Sequence, residues 1–216
     1  PRVRRQRQMC IRDSPTGGHT LVQCVTYSGH SPFIIPEESK RISFSDKLPE
    51  RLRNYMVVAN YTDYAIGQFI TFLRSQKKFE NTMIVITGDH EGFGLTRKPL
   101  YEHALGKDII SPERFTPLIV LNSPVHLRYE KVMGQVDLYP TLLDLLGADD
   151  YPWRGLGESI LSSGKKAFAI SPQMEIIGDT VGVSTAEIQH AKDAWRVSDL
   201  IISCDYFAHG RTGDKK

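Results

Sequence analysis

The chain has 216 residues, 40% hydrophobic and 24% charged, which fits one α/β domain with a substantial core. No apolar run approaches the ~18 residues that a membrane-crossing helix needs. Its net charge of +2 is local: without the five arginines and one aspartate of residues 1–14, the body carries 22 basic and 24 acidic residues, net −2. That balance offers no electrostatic basis for a nucleic-acid partner.

The lead "PRVRRQRQMCIRDS" (1–14) shows no helical or strand period. It reads as a non-native or disordered segment resembling translated adapter sequence, with a basic arm for nucleic acid or membrane as the alternative. Thr20 to Thr26 is β-rich and breaks into the loop "YSGHSPF", which is strand-then-loop punctuation. Leu48 to Arg74 carries the longest helical pattern, with Leu52, Tyr55, Met56, Ala59, Ile66, Phe69, Ile70 and Leu73 in an apolar stripe and Pro49 in the first turn.

Met83 to Thr87 reads as a strand covered on both faces, and Leu118 to Asn122 as another. Between them lies a loop rich in Gly, Lys, Glu and Pro. "QVDLYPTLLDLLG" predicts a helix with Asp137 as N-cap and Gly147 at its close. "AFAIS" and "SDLIISCDYF" read as late strands, with a helical "STAEIQHAKDAW" between them. Alternating strands and helices predict a mostly parallel sheet with helices on both faces. Cys24 and Cys204 form no C-x-x-C pair and are expected to be buried free thiols.

The residues with most chemistry are Asp89 and His90, directly after the strand ending at Thr87. Carboxylate plus imidazole suits Zn²⁺ or Mn²⁺ better than Ca²⁺ or Mg²⁺. Strand neighbours point to opposite faces, so both reach one ion only if the backbone leaves strand geometry, which Gly88 makes easy. The competing reading has Asp89 capping a turn and His90 bonded to backbone. His30 also follows a strand-like run. If the two strands are parallel neighbours, His30 meets the pair at one sheet edge, where its imidazole suits a phosphate or sulfate oxygen or a leaving group. The competing reading is a loop histidine stacked on Tyr27 or Phe33. A serine hydrolase is excluded, because Thr26 occupies the first glycine position of a G-x-S-x-G elbow around Ser28.

"NYTDYAIGQFITFLRSQKKFENTMIVITGDHEGFG", "GQVDLYPTLLDLLG" and "VTYSGHSPF" together resemble the sulfatase-like branch of the alkaline phosphatase superfamily, nearest to the lipoteichoic acid synthase group of phosphoglycerol transferases. The resemblance runs from about Thr20 to Phe207. It implies an alkaline-phosphatase-like fold, truncated on its N-terminal side, with residues 15–216 as the C-terminal portion of a catalytic domain. It further implies that Asp89 and His90 hold one catalytic divalent ion, Mn²⁺ or Zn²⁺, and that His30 is the catalytic, substrate-binding histidine on the transferred phosphoryl group. Asp63 matches a family position without an assigned role. His103 falls where some relatives have a second substrate histidine, in a departing context, and reads as a loop residue; His126 and His190 read as exposed.

The implied activity is phosphoryl transfer through a covalent phospho-enzyme, on anionic phospholipid or glycan substrates. It would take place on the extracytoplasmic side of the cell membrane, reached through N-terminal helices outside this sequence. The nucleophile and a further acidic ligand belong to the half that would precede Thr20. The sulfatase C/S-x-P-x-R pattern is absent, since "CIRDS" has Arg where Pro is required. Sulfate-ester hydrolysis and a degenerate, non-catalytic glycan-binding domain are the alternatives. Neither oligomeric state nor the identity of donor and acceptor is legible in these residues.

Overall fold

The computed structural model describes residues 20–77, 79–90, 92, 115–148, 150, 152 and 155–206. The chain divides into two compact units, Pro1–Asn122 and Ser123–Lys216.

In the first unit, helix α1 (Glu50–Arg74) begins directly after Pro49 and ends against Ser75. Its buried positions are Leu52, Val57 and Val58. Ala59 and Phe69, placed by periodicity on the apolar stripe, are exposed. The inward face is therefore rotated towards the two valines, because they meet Phe33 and Ile35 from the preceding loop, with Phe44, Tyr55 and Tyr61 packed around that cluster. Tertiary partners, more than period, choose the buried face.

Strands β1 (Ile84–Thr87) and β2 (Leu118–Leu121) pair antiparallel, with Ile84 opposite Leu121 and Thr87 opposite Leu118. Asn122, in left-handed backbone, donates its side-chain amide to the carbonyls of Phe79 (2.8 Å) and Thr82 (2.9 Å). Those bonds fasten the end of β2 to the turn that launches β1. Ile84 to Ile86 are half-buried and Thr87 is exposed, so β1 is not the doubly covered strand its composition suggested.

In the second unit, a 3₁₀ turn (Gln135–Asp137) runs into helix α2 (Leu138–Leu145), which closes at Gly147 with φ +65°. Strands β3 (Phe168–Ile170) and β4 (Ile176–Gly178) form an antiparallel hairpin. Helix α3 (Thr185–Ser203) follows a reciprocal cap: Glu187 N–H donates to Ser184 Oγ (3.2 Å), and Ser184 N–H donates to Glu187 Oε2 (2.7 Å). Trp195 on α3 donates its indole N–H to the Ile170 carbonyl (3.2 Å), tying the helix to β3.

Asp137, 2% exposed, does not cap α2 with its side chain as the sequence suggested. Its carboxylate accepts from the N–H groups of Gly134 (2.8 Å) and Glu158 (2.9 Å) and pairs with Lys165 (2.8 Å). Thr141 Oγ1 donates to the Asp137 carbonyl (2.6 Å) and accepts from Ile160 N–H (3.1 Å). The irregular stretch from Glu158 to Lys165 is thereby fastened to the start of α2. Beside this node the Tyr129 hydroxyl is pushed above the ordinary tyrosine range, first by burial and then by the charges of Asp137 and Glu158.

These elements overturn the expected mostly parallel sheet with helices on both faces. Among the described residues there are two two-stranded antiparallel sheets, and helix dominates. Strand direction is set by the partner and not by composition: β1 pairs antiparallel with β2, and β3 and β4 are joined by a short turn that permits only antiparallel pairing. The loop expected between β1 and β2 lies largely outside the described residues. Two expected strands are absent. Residues 20–26 have no regular structure, and Leu200 to Ser203, an apolar run ambiguous between strand and helix, extends α3 from its capped start. Cys24 and Cys204 are exposed, not buried. Residues 1–14 and His103 lie outside the described residues.

Removing one partner of a buried, hydrogen-bonded charge pair costs about 3–5 kcal/mol. Asp137→Ala should lower stability by that much in urea unfolding, and Asp137→Leu combined with Lys165→Met should lose less. A loss under about 1 kcal/mol for Asp137→Ala would contradict the assigned role. The exposed Glu187 carboxyl is held below the ordinary range, chiefly by the backbone N–H of Ser184 and then by its hydroxyl. A depressed folded-state value contributes stability above the unfolded-state value, lost as pH falls through the folded one. Helix content of α3 should therefore fall on acidification below the usual glutamate range, and Glu187→Gln should flatten that acid limb in circular dichroism. Superimposable titrations of the two proteins would remove the carboxylate from the cap.

Candidate functional site

Asp89 and His90 occupy the turn immediately after β1. Gly88 packs against Thr116 just before β2: a Cβ there would lie 3.3 Å from Thr116 Cγ2. The glycine thus eases a close approach, and its φ is not in the left-handed region. The His90 N–H donates to Asp89 Oδ1 (3.0 Å), so the aspartate does organise a turn. Its other oxygen, Oδ2, lies 3.8 Å from His90 Nε2, and both side chains are largely exposed, 89% for Asp89 and 69% for His90. Turn formation and side-chain convergence coexist: one oxygen holds the backbone, and the other faces the imidazole.

Two ligands held about 2.1 Å from a tetrahedral ion stand about 3.4 Å apart. An oxygen and a nitrogen 3.8 Å apart on exposed side chains are close to that spacing, and their chemistry fits Mn²⁺ or Zn²⁺. The pair supplies two donors. Among the described residues no third His, Cys, Asp or Glu joins them in a metal-holding group, and His30 does not complete one.

His30 sits in a tight turn. Its N–H donates to the Tyr27 carbonyl (3.1 Å), and its own carbonyl accepts from Phe33 N–H (3.0 Å). The ring stacks on Tyr27, centroids 5.6 Å apart and planes 11° from parallel. Ring Nδ1 lies 2.7 Å from the Ser31 carbonyl; a carbonyl only accepts, so Nδ1 carries the proton. Nε2 is then a lone-pair acceptor in the neutral ring and a donor in the imidazolium. The imidazole is exposed, with its orientation set by the stack and this bond.

The segment expected to be a strand leading to His30 does not pair with β1, so the two loops do not meet at a common parallel sheet edge. Tyr55 on α1 links them instead. Phe33, whose N–H bonds to His30, packs edge-on against the Tyr55 ring (5.3 Å, 80°). Gly92, two residues beyond His90, lies so near the Tyr55 hydroxyl that a Cβ would come within 2.3 Å of it. Helical period placed Tyr55 on the apolar stripe but could not show that it touches both loops.

The remaining candidates are peripheral. Asp63 is exposed on α1, and His126 and His190 are exposed. No helix among the described residues is long and apolar enough to cross a membrane.

Comparison with known proteins agrees with these motifs. Lipoteichoic acid synthase-like YvgJ of Bacillus subtilis (strain 168) is 32% identical over 155 residues, covering 68% of this chain and 25% of that protein. Lipoteichoic acid synthase of Staphylococcus aureus (strain USA300) is 30% identical over 146 residues, covering 65% of this chain and 22% of that protein. The matched part thus spans about a quarter of the length of these relatives. The sulfatase family profile matches residues 7–148, which contain His30, Asp89, His90 and helix α2. With about two thirds of its length covered by that match, the chain belongs to the sulfatase family.

Proposed function

We propose that this chain is part of the catalytic domain of a metal-dependent phosphoryl transferase that acts on phosphoglycerol-type lipid or glycan substrates at the outer side of a cell membrane. The observation that carries the reading is the pairing of Asp89 Oδ2 with His90 Nε2 at the end of β1, in a chain of the sulfatase family. Asp89 and His90 would hold the ion, with further ligands from elsewhere in the domain. When bound, it supplies Lewis acidity to a hydroxyl nucleophile and to phosphoryl oxygens.

His30 meets the non-bridging oxygens through Nε2. As imidazolium it donates a hydrogen bond to them, or passes its proton to the departing alkoxide. The Nδ1 bond to Ser31 keeps the ring from rotating away during that transfer. A donor of this kind contributes about a hundredfold in rate. Phosphoryl transfer is preferred to sulfate-ester hydrolysis because the two relatives above are named for lipoteichoic acid synthesis. Among the described residues Asp89 and His90 supply two donors and no nucleophile is assigned beside them, so this site by itself should hydrolyse no phosphodiester.

The test is Mn²⁺ and Zn²⁺ titration by calorimetry on the whole chain and on Asp89→Asn and His90→Gln. Asparagine preserves an acceptor for the His90 N–H, so the turn survives while the charge is lost. At least tenfold weaker binding in either variant is expected. Binding unchanged in both would defeat the metal reading, and metal-dependent phosphodiesterase activity of the chain alone would defeat the claim that its catalytic set is incomplete.

A further inference from the structure

From Ser14 to Pro36 the chain carries no Asp, Glu, Lys or Arg. Within that stretch Leu21, Val22 and Val25 are 89%, 50% and 71% exposed, and residues 20–26 join neither sheet among the described residues. Branched apolar residues with no Gly or Pro have the composition of a strand. Charges and prolines commonly shield such a segment from a second strand, and this one contains neither.

The order of the residues indicates the partner. Thr20, Leu21, Val22, Gln23, Cys24, Val25 and Thr26 repeat the same sequence of polarities when read from either end, with Gln23 at the centre. We propose that two copies of this chain associate by pairing these segments antiparallel about a two-fold axis at Gln23.

A two-fold contact sets each residue against its reflected position. Thr20 then faces Thr26 of the second copy, Leu21 faces Val25, Val22 faces Cys24, and Gln23 faces itself. Directly opposed residues share a face of the ribbon. One face carries the Leu21–Val25 pairs on either side of Gln23; the other carries the Val22–Cys24 pairs between the two threonine pairs. Branched apolar pairs and threonine pairs each strengthen a ladder, and two glutamine amides donate to and accept from one another. A one-residue slip sets Leu21 against Thr26 and Gln23 against Cys24. A two-residue slip sets Val22 against Thr26 and Gln23 against Val25. Either opposes polar to apolar side chains, so the pattern favours one register.

Seven residues at ~3.4 Å each make a ribbon ~20 Å long. Antiparallel pairing puts the two Thr26 ends, and the His30 turns four residues beyond, at opposite ends of it. A stable interface commonly uses about 20–30 residues a side, so seven predict a weak dimer that forms as concentration rises. This inference does not rest on the function proposed above.

The test is sedimentation equilibrium of the whole chain under reducing conditions, where reversible monomer–dimer exchange is expected. Gln23→Lys and Gln23→Glu each set like charges against one another across the axis and should weaken dimerisation about tenfold. An equimolar mixture sets Lys against Glu and should restore it. Gln23 is exposed and lies outside regular structure, so both variants should keep the parent circular dichroism spectrum. With the native cysteines replaced by serine, Gln23→Cys should give a disulfide-linked dimer on mild oxidation and Leu21→Cys should not. The register brings residue 23 within ~5 Å of its copy, Cα to Cα, which a disulfide can span, and sets residue 21 ~14 Å along the ribbon from its own.

A chain that stays monomeric at millimolar concentration, or a mixture that associates no better than either variant alone, overturns the proposal. Equal cross-linking at both positions, or association that runs on past the dimer, overturns it by removing the register. A monomer that sediments with phosphatidylcholine vesicles would give the patch to a lipid surface and overturn it too. The metal titration above has no bearing on any of these outcomes.

Discussion

The contact between Phe33 and Tyr55 sets the geometry of the candidate site. The loop that carries His30 has no regular secondary structure and would be free to swing were it not fixed at one end. Phe33 supplies that end: its side chain is buried with Ile35, Val57 and Val58, and its ring meets Tyr55 edge-on at 5.3 Å. An edge-to-face aromatic pair adds about 0.5–1.5 kcal/mol to the burial of the rings. The Tyr55 hydroxyl then faces Gly92 on the loop that carries Asp89 and His90. One side chain thus limits how far the imidazole of one loop and the carboxylate of the other can drift apart. This is a modest energy applied at the right place, since a displacement of about 1 Å can cost a hundredfold in rate.

The local parts of this arrangement were legible in the sequence. Helices α1 and α2 announced themselves through period, Pro49 and Gly147, and the start of α3 through the helical "STAEIQHAKDAW", because caps and amphipathic stripes are properties of neighbouring residues. The Asp89–His90 pair was legible for the same reason: adjacent side chains after a short strand have few places to go. His30 stacked on Tyr27, as a ring three residues from another in a turn readily does.

What the sequence could not convey was everything that depends on distant partners. Strand direction is not encoded in a strand's own composition, so alternation suggested a parallel sheet where the pairs are antiparallel. The apolar residues Leu200 to Ile202 satisfy a strand as well as a helix, and the capped helix upstream settled the matter by propagating through them. Asp137 looked like an N-cap because aspartate precedes a helix. Its role emerged only once Lys165 and the Glu158 N–H arrived from the next segment. Tyr55 is the clearest case, an aromatic on a stripe whose importance lies in two loops that no local pattern connects to it.

Two aspartates show how the chain separates stability from chemistry. Asp137 is nearly inaccessible, and each of its oxygens is engaged by backbone N–H or Lys165; a buried carboxylate is tolerable only when so satisfied. Such a group cannot serve a substrate without dismantling the segment it holds. Asp89 is the converse. At 89% exposure its carboxylate retains its hydration, its 3.8 Å approach to His90 contributes little to folding, and an arriving cation would meet a charge already facing solvent. On the metal reading proposed above, a site left this open would gain little rigidity from its own two side chains. Its precision must then come from the neighbours that hold the loops, which is why Tyr55, with no chemistry of its own, bears as directly on the function as the residues it positions.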